Sequence, residues 1–153
     1  MDLILWRHAE AHPAAPGQDD LQRPLTPKGE RQAERMAAWL GRHLPESARI
    51  VVSPAVRCQQ TARALARPFD TAAALAPDLP AEQLLDAAGW PGAGGVVLVV
   101  GHQPTIGEAA ARLLSGRPGS WAVKKGAVWW LRQRERDTSG QAVLQSVQSP
   151  DLL

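Results

Sequence analysis

The chain predicts an α/β fold: a single three-layer α/β/α domain, residues 1–153, whose central sheet is mainly parallel with antiparallel strands at its edge. Two kinds of pattern point there. Leu3 to Trp6, Ile50 to Val52 and Val96 to Val100 are short apolar runs without helical spacing. Continuous runs rich in Val, Ile and Leu suit strands buried on both faces. Between and after them lie stretches with helical periodicity and clear start and stop signals. At 153 residues the chain fits one domain and can bury a core without disulfide staples.

The elements follow in order. Leu3 to Trp6 is the first strand. Glu10 to Pro24, rich in Pro, Gly and Asp, reads as a surface loop. Thr26 and Pro27 open a helix as N-cap and first helical residue. Its apolar stripe is Ala33, Met36, Ala37, Leu40 and Leu44, and Pro45 follows it. Ile50 to Val52 is the second strand, and Ser53-Pro54 repeats the helix-start signal. That helix runs to about Ala66, with Pro68 as its stop. Ala72 to Ala76 fits neither period, and a shorter helix covers Pro80 to Ala88. Val96 to Val100 is the third buried strand. The last helix opens at Pro104, buries Ile106, Ala109, Ala110, Leu113 and Leu114, and stops at Gly116 and Pro118. Trp121 to Lys124, Ala127 to Arg132 and Val143 to Gln148 read as late strands, some antiparallel, with Thr138-Ser139-Gly140 as a turn.

Composition narrows the function classes. The net charge is only +2 and no run of Lys and Arg resembles a nucleic-acid arm, so no nucleic-acid partner is expected. Trp129 and Trp130 put one ring on each face of a strand, and Lys124 and Lys125 alone do not make a stacking platform. Cys58 is the only cysteine, reads as a small buried apolar residue, and gives no sign of an oxidising compartment. The N-terminus lacks the basic start of a signal peptide, and the longest apolar run is too short to span a bilayer. No membrane association is expected, and a cytoplasmic location follows by default.

The chemistry gathers at the strand ends. Leu3–Trp6 runs into Arg7-His8, Ile50–Val52 into Ser53-Pro54 with Arg57 one turn on, and Val97–Val100 into Gly101-His102. In open α/β sheets ligands sit outside the carboxyl ends of the strands. Parallel neighbours would therefore bring Arg7, His8, Arg57 and His102 together. Two guanidiniums and two imidazoles need a counter-anion, and a phosphoryl group matches the planar donor forks of Arg. His8 and His12 also read as His-x-x-x-His, a zinc spacing when helical. Pro13 and the preceding strand oppose a helix there, and no cysteine cluster completes the set. No metal and no cofactor is expected, and His12 and His43 read as surface residues.

These residues resemble the histidine phosphatase superfamily. Arg7-His8-Ala9-Glu10-Ala11 resembles its Arg-His-Gly motif, and Pro24-Leu25-Thr26-Pro27-Lys28-Gly29 its Leu-Thr-x-x-Gly helix start. Ser53 to Ala62 is similar to Ser-Pro-x-x-Arg-x-x-Gln-Thr-Ala, and Gly101-His102-Gln103-Pro104 to Gly-His-x-Pro. The short length and the closing residues, Gln148 to Leu153, look most like the SixA-type phosphohistidine phosphatases. The resemblance implies a phosphoglycerate mutase-like fold and a metal-independent phosphatase. It implies that His8 attacks phosphorus, that Arg7, Arg57 and His102 bind the phosphoryl oxygens, and that oxyanions such as phosphate or vanadate inhibit.

Two departures bear on substrate. Ala9 stands where the motif has glycine. No carboxylic acid for the leaving group is evident; Glu10, Asp78 and Glu82 are candidates, with Glu82 the tentative choice. Arg23 and Lys28 flank the entrance by motif position, and Arg23 is a tentative substrate-binding residue. A missing acid favours an easier leaving group, so the expected substrate is a phosphohistidine protein. A small phosphorylated compound, or a phosphate-binding regulatory module with impaired turnover, are the alternatives.

Overall fold

The computed structural model describes residues 1–134 and 141–153. The chain alternates β1 (Asp2–Arg7), α1 (Pro27–His43), β2 (Arg49–Val52), α2 (Val56–Arg63), β3 (Asp70–Thr71) and α3 (Ala81–Ala88). It continues through β4 (Val96–Gly101), α4 (Thr105–Ser115), β5 (Val128–Gln133) and β6 (Ala142–Gln148). The sheet order is β3-β2-β4-β1-β5-β6. The first four strands are mutually parallel, and β5 and β6 join antiparallel beside β1.

The apolar runs are continuous because helices cover both faces. Leu3, Leu5, Val97 and Val99 meet Leu84 and Leu85 of α3 and Ile106, Ala109 and Leu113 of α4. Ile4, Trp6, Leu98 and Val100 meet Met36 and Leu40 of α1 and Cys58 and Ala62 of α2. Each fully buried Leu, Ile or Val contributes roughly 1.5–3 kcal/mol, so this double burial dominates the stability of the parallel half. Trp129 and Trp130 divide between the two clusters as their alternation predicts. Trp130 Nε1 donates to Asp2, which also takes two hydrogen bonds from Arg132. Burial pushes the Asp2 carboxyl up, but these donors outweigh it and hold the pKa below the ordinary value.

Helix ends follow their caps. Thr26 Oγ1 accepts from Gly29 N at 2.9 Å, and Gly116 closes α4 in the left-handed conformation. α2 is shorter than predicted. Ser53 is no N-cap for it: its Oγ accepts from Ala55 N, bending the chain before Val56, and residues after Arg63 leave the helix as turns. Asp70–Thr71 is a strand the sequence did not announce, because a two-residue pairing with β2 has no period to read. Ala73–Leu75 forms a 3₁₀ turn. Trp121 to Lys124 is not a strand. Trp121 N instead donates to Gly107 O, and Gln103 Nε2 donates to Trp121 O, fastening the segment to the start of α4. A Cβ at Gly107 would overlap the Trp121 carbonyl, so glycine permits that approach. The expected turn at Thr138-Ser139-Gly140 lies outside the described residues.

Candidate active site

Strand register builds the site. Arg7 of β1 pairs with Gly101 of β4, and Val100 pairs with Val52 of β2. Arg7-His8, Gly101-His102 and Ser53 therefore stand side by side at the carboxyl edge. The His8 and His102 ring centroids are 5.3 Å apart, inclined by 59°. They line a hollow of about 320 Å³ together with Arg7, Arg23 and Arg57. All four residues expected to converge do so, and Arg23 joins them.

Each side chain is held by a specific bond. His8 Nδ1 lies 2.7 Å from Ala9 O; a carbonyl only accepts, so Nδ1 carries the proton and Nε2 keeps its lone pair. Ala9 N donates to Thr61 Oγ1, which donates to Arg57 O, tying the His8 loop to α2. The Ala9 methyl is wholly buried and packs with Leu25 and Ala33, so the departure from glycine is accommodated. Arg7 Nη1 donates to Val123 O at 2.7 Å. The remaining motif residues are braces: Gln60 accepts from Leu25 N, and Gln59 donates to Ser53 O. A Cβ at Gly29 would overlap the Glu10 carbonyl, which explains a glycine there.

Arg57 is only 3% exposed, and its partner comes from a distant loop. Its Nη1 donates to Asp20 O at 2.7 Å and its Nη2 meets Asp20 Oδ2 at 3.1 Å. Arg23 Nε reaches Asp20 Oδ1 at 2.9 Å. Burial raises the Asp20 pKa, but Arg57 and Arg23 outweigh it and hold the carboxyl below its ordinary range. Arg7 Nε and Arg57 Nε are buried with no acceptor among the described residues, an arrangement suited to an incoming anion.

The imidazoles are held neutral. Burial, with charge from Arg57 and Arg7, pushes His8 down to about 4 against the opposing hydrogen bond to Ala9. Burial, then His8 and Arg57, pushes His102 down to about 3. A neutral His8 presents an unprotonated Nε2 for attack. Cys58 Sγ lies 3.4 Å from His102 Nε2, and burial pushes the thiol up to about 12, far from a reactive thiolate.

Glu82 is corrected by the structure: it does not line this hollow. It pairs with Arg112 at 2.7 Å beside a separate, larger hollow of about 750 Å³ near α3 and α4. Helix position could not show this, because α3 turns its first residues toward α4. Glu10 accepts from Thr26 Oγ1 at 2.7 Å and does not line the hollow either. Asp78 does line it, as do Asp20, Gln103 and Lys125. Asp20 went unread because one aspartate among several loop residues carries no spacing signal; its only hint was Arg23 three residues on. Lys28 is exposed and is not among the lining residues.

A cationic cup holding a neutral imidazole, at the carboxyl edge of a mainly parallel α/β sheet, defines a protein built to handle phosphoryl groups. The sequence model of the histidine phosphatase superfamily (branch 1) matches residues 3–90, and the chain belongs to that family. It is 33% identical over 132 residues to the phosphohistidine phosphatase SixA homolog of Haemophilus influenzae, covering 76% of this chain and 79% of that one. It is 35% identical over 148 residues to an uncharacterized protein of Picosynechococcus, covering 86% and 85% of the two chains. The structure of the protein histidine phosphatase SixA complexed with tungstate superposes with a TM-score of 0.80, at 25% identity, over 99% of both chains. The fold is thus phosphoglycerate mutase-like, and the chain is a phosphatase of this superfamily. No described helix is long and apolar enough to cross a membrane.

Proposed function

We propose that the protein hydrolyses phosphohistidine on a partner protein, using His8 as nucleophile. The observation that carries this is His8 itself, its Nδ1 tied to Ala9 O and its ring beside His102 in the arginine-lined hollow. His8 Nε2 forms a bond to phosphorus while the phosphorus–nitrogen bond of the substrate breaks, its electron pair leaving with the substrate imidazole. Water then attacks the phosphorylated His8, giving inorganic phosphate and returning the electron pair to Nε2. Arg7, Arg57 and His102 stabilise the charge on the phosphoryl oxygens, each such donor contributing about 3 kcal/mol. The arginines supply positive charge, so the step needs no metal.

The carboxylates favour this leaving group. An alkoxide needs an acid, whereas a protonated phosphoramidate nitrogen leaves readily. Glu82 is drawn to Arg112, Glu10 to Thr26, and Asp20 is kept ionised by two arginines. Hydrolysis of small phosphomonoesters is the second reading, and Asp78, which lines the hollow, favours it as an acid. The test compares kcat/KM for a histidine-phosphorylated protein with that for small phosphomonoesters. A higher value for the protein is expected. Faster ester turnover would reverse the reading. Acid-free quenching and mass spectrometry should find phosphate on His8, and His8→Ala should abolish turnover.

A further inference from the structure

The second imidazole in the hollow can assist a phosphoryl group only if its proton sits on the right nitrogen. Register sets what that ring meets. Ser53 follows Val52, the β2 partner of Val100, and its N–H donates to Val100 O at 3.1 Å. Ser53 is fully buried, and its Oγ lies 2.7 Å from His102 Nε2. The same Oγ accepts from Ala55 N at 3.2 Å. Nε2 is therefore engaged on the buried side by Ser53; Cys58 Sγ lies beside the ring, 3.4 Å from Nε2 and 4.0 Å from Nδ1, and Nδ1, with no oxygen or nitrogen partner among the described residues, is the nitrogen left for the hollow.

A neutral imidazole has one N–H. If that proton sat on Nε2, the ring would turn a lone pair toward an anion. For the neutral ring to donate to a phosphoryl oxygen, Nδ1 must carry the proton and Nε2 must accept. A serine hydroxyl has one hydrogen and two acceptor lone pairs. Ala55 N–H uses one lone pair; the remaining lone pair and the hydrogen can each serve Nε2, and an anion that draws the ring proton to Nδ1 leaves Nε2 to take the hydrogen. We propose that Ser53 is a positioning residue that holds His102 as its Nδ1–H tautomer, aiming that proton at the phosphoryl group. The same hydroxyl accommodates the imidazolium form. Its second lone pair then accepts from Nε2–H, and its hydrogen turns away from the ring. The assignment rests on the phosphoryl-transfer reading of the hollow, but its first test needs no turnover.

The test is long-range proton–nitrogen NMR on the ¹⁵N-labelled full chain at neutral pH, with His102 signals assigned by their loss in His102→Gln. A protonated Nδ1 and an unprotonated, accepting Nε2 are expected in the native protein. In Ser53→Ala the pattern should become a mixture, and kcat should fall about tenfold with little change in KM, as for other groups that orient an active imidazole. Ser53→Thr, which keeps the hydroxyl, should restore both. A native Nε2–H tautomer, or Ser53→Ala with the native tautomer and native kcat, would overturn the proposal. A native Nδ1–H tautomer in a protein that turns over no phosphorylated substrate would refute the function while leaving the Ser53 assignment standing.

Discussion

Replacing Asp20 by Asn should tighten oxyanion binding. The Asp20 carboxylate lies 3.1 Å from Arg57 Nη2 and 2.9 Å from Arg23 Nε, so it occupies donors that a phosphoryl group would use. Asparagine removes the charge without freeing Arg57 from its place, because Arg57 Nη1 also donates to the Asp20 backbone carbonyl at 2.7 Å. Like charges about 4 Å apart repel by about 1 kcal/mol in water and about 4 kcal/mol at an effective dielectric of 20. Asp20 is 55% exposed, so the value near water applies. About 1 kcal/mol corresponds to roughly fivefold tighter binding. The assay is calorimetric titration with inorganic phosphate at neutral pH, repeated at high salt, where the gain should shrink. Unchanged or weaker affinity in a folded Asp20→Asn protein would refute the view that this carboxylate competes with the substrate.

Four further outcomes are expected. Arg57→Ala should lower kcat/KM by about 10²- to 10³-fold, measured with a histidine-phosphorylated protein, because it removes a buried donor and leaves Asp20 facing the hollow with less positive charge. Arg57→Lys should recover little, since an ammonium cannot reproduce the fork. His8 and His102, at about 4 and about 3, lie below the 6.5 of an exposed imidazole, so the unfolded chain takes up protons first as pH falls. Stability is therefore full above about pH 6.5 and declines as pH drops toward about 3, and phosphate should offset the loss; a urea midpoint flat across that window would contradict the buried neutral imidazoles. Gly29→Ala should cost about 2 kcal/mol in urea unfolding, because the added methyl must displace the Glu10 carbonyl.

Much of the site was legible in sequence for a physical reason. A strand buried on both faces is a continuous apolar run, and its carboxyl end is where the ligand sits, so a basic residue straight after such a run is marked twice. Arg7, His8 and His102 meet that description, and Arg57 follows in the first turn of the next helix. Which carboxylates line the hollow was not legible. Glu82 begins a helix near the site in sequence, yet its side chain turns to Arg112. Trp121 to Lys124 is short and mixed, reading as a strand, but bonds to the start of α4, and local composition alone cannot say which partner an extended segment takes.

The sequence by itself determined the strand-helix alternation, the cationic residues at the strand ends, the Thr26 cap that starts α1 and the Gly116 stop of α4, because all of these depend on local propensity and burial period. Tertiary structure alone decided that Asp20 pairs with Arg57, that Ser53 meets His102, and that Asp78 rather than Glu82 faces the hollow. Those contacts join residues up to 49 positions apart, through strand register and loop path. A hydrogen bond between distant residues leaves no periodic trace along the chain, so only the folded backbone can bring its two ends together.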